Sequence, residues 1–222
     1  MDKKSKSYSI EDGLNESKGV YIAKKPPTEY GISSPIHYTY ADYLSWMDEQ
    51  RREIIHGVVY KLMSAPSRFH ADISSELLSI FKWLVKKRKA KCKVYHAPFD
   101  VRLSKNGETA NERIDTVVQP DICVICDKSK LDDAGCIGAP DLIVEVQSPS
   151  TARYDMLEKF NLYEQSGVRE YWIVYPSDKG LTVYTLQENG KYDEGTTYQF
   201  TGKVPVSIFD GLEIDLKELF EN

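Results

Sequence analysis

The run Asp141-Leu142-Ile143-Val144-Glu145-Val146-Gln147 decides the fold of this chain. Four branched apolar residues surround one carboxylate, a pattern that predicts a strand in the interior of a sheet. Alternate strand residues share a face, so Glu145 and Gln147 project together, about 7 Å apart, while Val144 and Val146 point the other way. A carboxylate inside an apolar strand is costly unless its charge is compensated, and a divalent cation is one such compensation. The competing reading, an acidic residue on the solvent face of an edge strand, fits the apolar flanks less well.

Working outward, a second strand-like run at 117–126 carries Pro120-Asp121. A turn-rich link over 128–140 separates it from the first, so the two runs are predicted to be neighbours. Neighbouring strands lie about 5 Å apart, close enough for Asp121 and Glu145 to reach one cation. A second Pro-Asp pair, Pro140-Asp141, competes for this role. Asp141 shares the strand face of Glu145 but sits four residues away, about 13 Å, too far to share an ion directly. Asp141 therefore reads as a strand-start residue, and Asp121 as the metal ligand.

Around this pair the chain alternates helix and strand signals. Residues 40–50 read as a short helix bearing Tyr43, Leu44 and Met47. Residues 53–62 read as a tight hairpin turning at His56-Gly57. Ser67 is placed to cap a helix reaching about Lys89, with Ile73, Leu77, Ile80, Phe81, Leu84 and Val85 at helical spacing. Further strands are predicted at 93–103 and 170–175, and a second helix over 152–166 that stops at Gly167. The tail reads as an antiparallel extension ending in a short helix. The order implies a mixed β-sheet flanked by helices, of α/β (α+β) class. Residues 1–35, rich in Lys, Ser, Glu, Gly and Pro, read as a flexible or loosely packed extension before a single domain over 36–222.

Composition narrows the function classes. The 222 residues are 41% hydrophobic and 28% charged, as in a soluble globular domain. No run is apolar enough for a membrane span and no signal segment opens the chain, which predicts a cytoplasmic protein. The formal charge of −5 argues against a simple DNA-binding module but not against a metal-dependent enzyme. Of the four cysteines, Cys123 and Cys126 form a CxxC pair within an apolar run, where residues three apart face opposite sides. Without a second such pair, all four read as buried free thiols rather than zinc ligands or disulfides.

Taken together, Glu53-Ile54-Ile55-His56-Gly57, Val118-Gln119-Pro120-Asp121-Ile122, Glu145-Val146-Gln147-Ser148-Pro149-Ser150-Thr151 and Gly167-Val168-Arg169-Glu170-Tyr171-Trp172-Ile173-Val174 resemble the Uma-type family of "putative restriction endonucleases". This is a bacterial branch of the PD-(D/E)xK nucleases, and the resemblance runs from about Tyr38 to Phe220. It implies a restriction-endonuclease-like core, Mg²⁺-dependent (or Mn²⁺-dependent) hydrolysis of phosphodiester bonds and DNA as substrate. A homodimer is expected, since cutting both strands of a duplex needs two sites. The superfamily pattern places a lysine where this chain has Gln147, and the resemblance suggests that the lysine has moved to the following helix as Lys159.

Spacing offers Lys159 a route to the site. Asp155, Lys159 and Tyr163 recur at i, i+4 and i+8 and form one helical stripe. If the stripe borders the sheet, the Lys159 ammonium reaches the place left by Gln147; otherwise Asp155 and Lys159 form a surface pair. Glu53, at the start of the hairpin, is a candidate third carboxylate, or a solvated strand end. His70 lies on the apolar side of its helix and is a further candidate, or a packed histidine. Tyr163 reads as core. The basic run Lys86, Lys87, Arg88, Lys89, Lys91, Lys93 is better explained as helix-end charge than as a phosphate-contact strip.

The mechanism that follows has a hard cation held by Asp121, Glu145 and the Val146 carbonyl. Lys159 positions the attacking water and stabilises transition-state charge. The alternatives are a nuclease fold without turnover that binds nucleic acid or a protein partner, and a structural protein with ion-paired strand carboxylates.

Overall fold

The computed structural model describes residues 20–22, 36–48, 50–62, 67–104, 107–148, 155–209 and 211–221. The chain opens with β1 (Val20–Ile22), α1 (Tyr40–Ser45), β2 (Arg52–Ile55), β3 (Val58–Leu62) and α2 (Arg68–Lys87). Six short strands follow: β4 (Lys93–His96), β5 (Val101–Arg102), β6 (Val117–Val118), β7 (Ile122–Ile125), β8 (Leu131–Asp132) and β9 (Gly135–Ile137). Then come β10 (Leu142–Val146), a π-helical turn (Asp155–Lys159), α3 (Phe160–Ser166) and β11 (Glu170–Tyr175). The chain ends with β12 (Gly180–Thr185), β13 (Thr196–Gln199), β14 (Lys203–Pro205), β15 (Glu213–Asp215) and α4 (Leu216–Glu221).

The deciding run becomes β10, and it lies inside a sheet. All five of its residues are buried. It pairs parallel to β11 on one side and antiparallel to β7 on the other, within the order β13-β12-β11-β10-β7-β4. One face of this six-stranded sheet carries α2, whose Ile73, Leu77, Phe81 and Leu84 pack with Val144, Val146 and Trp172. The Phe81 and Trp172 rings meet edge-on at 5.5 Å. On the other face Ile143, Tyr171 and Ile173 pack with Leu162 and Tyr163 of α3. Burial of aromatic and branched side chains on both faces, each contributing about 1.5–3 kcal/mol, is the dominant stabilising term.

Local signals set the helix positions. Ser67 caps α2 through its Oγ, which accepts the His70 N–H at 3.2 Å. This fixes His70 at the third residue of the helix. Gly167, at φ 84°, ends α3 in a conformation that glycine adopts without strain. The hairpin β2–β3 turns at His56 (φ 50°) and Gly57 (φ 75°), two consecutive left-handed residues that match strand twist.

Several expectations need correction. A second, seven-stranded sheet of order β1-β3-β2-β6-β5-β9-β8 accompanies the first. The runs at 93–103 and 117–126 each divide between the two sheets. Pro98 and Pro120 lie at the two breaks; lacking an N–H, neither can continue a ladder. The link over 128–140 contains the small hairpin β8–β9. The first helix ends at Ser45 instead of near residue 50. Of the expected extension, Val20–Ile22 form an antiparallel strand on β3, and the rest lies outside the described residues.

The cysteines differ as well. Cys123 and Cys136 are free and buried, but Cys92 and Cys126 are joined by a disulfide. The β4–β7 register pairs Lys93 with Ile125, so Cys92 and Cys126 come next in line and face each other. Among the described residues no helix is long and apolar enough to cross a membrane.

Candidate active site

The β7–β10 register pairs Val144 with Ile122, so the next opposed positions are Glu145 and Asp121. Opposed residues of antiparallel strands share a face, with Cβ atoms about 4.5–5.5 Å apart. β7 stops at Ile122, and beyond it the Asp121 carboxylate takes the place of a backbone acceptor. Its Oδ2 accepts the Val146 N–H at 2.8 Å. In a strand the N–H and C=O of one residue point to the same edge, so the Val146 carbonyl is directed to the Asp121 side too. His70 approaches from α2, its Nε2 3.2 Å from Asp121 Oδ2.

Glu145 is held from the opposite direction. Lys159 Nζ lies 2.8 Å from Glu145 Oε1, and the Tyr163 hydroxyl donates to that same oxygen at 2.7 Å. Lys159 sits at the end of the π-helical turn and Tyr163 one turn later in α3, so both reach Glu145 from one helix face. Lys159 also lies 3.1 Å from Glu53 Oε1, which accepts the Gln119 N–H at 2.8 Å. Glu53 arrives from β2 of the seven-stranded sheet. The cluster therefore forms where the two sheets meet.

Burial decides the character of these contacts. Glu53 is 0% exposed, and Glu145 and Lys159 are each 4% exposed. The surface-pair reading of Lys159 is thus excluded, as is the solvated-strand-end reading of Glu53. Asp121, with a side chain 21% exposed, is the carboxylate that opens the cluster to solvent. Burial, and then the neighbouring Glu145 and Glu53 charges, push the Tyr163 hydroxyl well above its ordinary range. It stays protonated and donates to Glu145.

The donor set suits a hard cation. Among the described residues no three His, Cys, Asp or Glu side chains form a ready cage. Two carboxylates and the Val146 carbonyl are present instead, and the Asp121 side chain is part-exposed to solvent. Mg²⁺ commonly binds in this way, through one or two carboxylates while keeping several waters. Contacts to Asp121 among the described residues fall on Oδ2, leaving Oδ1 as a donor.

The structure thus gathers Asp121, Glu145, Lys159, Glu53 and His70 at one place. Gln147 does not join them. Its backbone N–H pairs with Val174, and its buried Nε2 has no hydrogen-bond acceptor among the described residues. Asp155 has no described side chain. Sequence reasoning missed two members. Tyr163 read as core, although its place four residues after Lys159 was the available signal. Gln119, two residues before Asp121, had no signal of its own. The basic run at the end of α2 lies about 24 Å along the helix from His70, remote from the cluster. There Lys87 Nζ stacks 4.3 Å over the Trp83 ring.

Comparison with known proteins bears on the family and the fold. The chain is 28% identical over 174 residues to the uncharacterized protein slr1290 of Synechocystis sp., a match spanning 77% of this chain and 83% of that protein. Its fold is similar to a crystal structure from Anabaena variabilis described as a "putative nuclease belonging to DUF820". That likeness has a TM-score of 0.65 at 22% identity, covering 83% of this chain and 98% of the other. Residues 40–217 match the model of the Uma2 family, whose description is "Putative restriction endonuclease", and the chain belongs to that family.

Proposed function

We propose that this chain is a metal-dependent endonuclease that hydrolyses DNA phosphodiester bonds, with Mg²⁺ (or Mn²⁺) held by Asp121, Glu145 and the Val146 carbonyl. The observation that carries this reading is Lys159 Nζ at 2.8 Å from Glu145, the residue opposite Asp121 in the β7–β10 register. The PD-(D/E)xK pattern asks for two carboxylates and one ammonium. Here the ammonium comes from the helix after the strand instead of from position 147.

The bound cation would supply Lewis-acid polarisation of a phosphate oxygen and acidify water at the scissile bond. The protein's own groups do the rest. The Val146 N–H and His70 hold Oδ2 of Asp121, fixing the direction of its other oxygen. Tyr163 holds Glu145 in place. Glu53 is a second carboxylate partner of Lys159 and would hold the ammonium in the cluster if Glu145 served as a metal ligand. Lys159 then donates to a non-bridging oxygen and stabilises the charge that develops as water attacks phosphorus in line with the leaving oxygen. Working in the cytoplasm as a homodimer, two such sites would cut both strands.

Plasmid nicking tests this reading. Wild-type protein is expected to nick supercoiled plasmid with Mg²⁺ or Mn²⁺ and not with EDTA, and Glu145→Ala to lose the activity. Salt-sensitive DNA binding with no nicking under any metal would favour a nuclease fold without turnover.

A further inference from the structure

A cavity of about 560 Å³ adjoins the cluster, lined among others by Tyr43, Tyr95, Phe99, Asp100, Gln119 and Asp132. Its volume lies within the range of small-molecule sites. It shares a wall with the candidate catalytic cluster. The Gln119 side chain lines the cavity while its main-chain N–H donates to Glu53. Next to the lining residue Pro98, the Ala97 N–H donates to the Asp121 carbonyl at 3.2 Å. Gln119 and Asp121 are two residues apart, at most about 7 Å between Cα atoms.

The lining chemistry selects the ligand. Tyr95 and Phe99 form a parallel stack, with centroids 4.1 Å apart and 5° between the rings, and Tyr43 adds a third ring. The charged groups of the lining are the carboxylates of Asp100, Asp132 and Asp133, with Asp132 paired to Arg102 behind it, and among the described residues no lysine, arginine or histidine lines the cavity. A phosphate would be repelled there. A flat aromatic ligand that donates hydrogen bonds would be held. Asp100 is rigid, because it accepts from Tyr40 OH at 3.1 Å, Tyr43 OH at 3.2 Å and Gln119 Nε2 at 2.9 Å. Three donors against about four lone-pair sites leave an acceptor position open. Asp133, also in the lining, is without a side-chain hydrogen bond or ion pair among the described residues.

We propose that this pocket takes one nucleobase bearing an exocyclic amino group, unstacked from the strand whose phosphate lies at Asp121. The base stacks on the Tyr95–Phe99 platform and donates its amino protons to the carboxylates. Pocket and cluster then read adjoining parts of one strand, and the substrate class is DNA with an unpaired or extruded base near the cut. This inference rests on the nuclease reading above.

The test is fluorescence titration of the full-length chain, in EDTA, with a short single-stranded oligonucleotide carrying one 2-aminopurine. Stacking on the platform is expected to quench the emission. Phe99→Leu, which keeps apolar bulk but loses the ring, is expected to restore emission and weaken binding by about tenfold. Oligo-dA is expected to compete about tenfold better than oligo-dT, since thymine has no exocyclic amino group. That comparison needs no variant and holds even if Phe99→Leu fails to fold. Absence of binding, quenching unchanged in a folded Phe99→Leu, or equal competition by the two oligomers would overturn the proposal. Quenching by a protein that cleaves nothing with Mg²⁺ or Mn²⁺ sinks the nuclease reading and leaves the pocket standing. Cleavage without quenching sinks the pocket alone.

Discussion

Lys159→Met removes one ammonium from between two buried carboxylates and leaves the packing of its stem almost unchanged. Glu53 would keep the Gln119 N–H and Glu145 the Tyr163 hydroxyl, but both lose the Lys159 ammonium. Removing one partner of a buried ion pair costs about 3–5 kcal/mol, because the remaining charge is left uncompensated in a poorly solvated place. In a domain of this size 1 kcal/mol moves the melting temperature by about 2–4 °C, so a fall on the order of 10 °C is expected. A divalent cation then becomes the replacement charge. At a hundred times its dissociation constant it returns about 2.7 kcal/mol. Melting by circular dichroism, with and without Mg²⁺ or Mn²⁺, gives both quantities. The variant should be stabilised by metal more than wild type, in which Lys159 competes for Glu145. Adding Glu145→Gln should recover much of the stability and abolish the metal response. A Lys159→Met protein as stable as wild type, or one whose melting ignores metal, would refute the account of the cluster.

Three further outcomes are expected. Tyr163→Phe deletes a buried donor to Glu145 and should cost about 1–3 kcal/mol in urea unfolding, with a parallel loss of nicking. Phe81→Ala empties the α2 face of the core against Trp172 and should cost about 3–5 kcal/mol with no change in metal response. Cys92→Ser opens a cross-link spanning 34 residues and should lower stability by about 2–4 kcal/mol, an effect that dithiothreitol reproduces in wild type and not in the variant.

Local chemistry made part of this molecule legible. Four branched apolar residues around Glu145 are enough to predict an interior strand, and β10 is one. Ser67 with apolar residues at helical spacing predicts α2, and His56-Gly57 predicts the hairpin. The strand arithmetic that set Asp141 aside agrees with its contacts: it accepts the Cys126 N–H at 2.7 Å and pairs with Arg169, away from the cluster. What stayed hidden depends on pairing between distant segments. Nothing near Glu53 in sequence shows that β2 belongs to a second sheet that brings Glu53 to Lys159. The divisions at Pro98 and Pro120 were readable in principle, since a proline within a strand run removes a ladder donor. The Cys92–Cys126 bond needed the β4–β7 register, which apolar patterning does not fix when β7 is buried on both faces and β4 is a part-exposed edge strand. Lys159 came from the family resemblance, and helical spacing alone left a surface pair with Asp155 open; the structure directs Lys159 and Tyr163 to Glu145 although the turn of Lys159 is π-helical.

The most direct measurement is anomalous diffraction from crystals soaked in Mn²⁺. One peak is predicted within about 2.0–2.6 Å of an oxygen from each of Asp121, Glu145 and the Val146 carbonyl, with Lys159 Nζ retained on Glu53. A peak elsewhere, or none while Lys159 still bridges Glu53 and Glu145, would contradict the account.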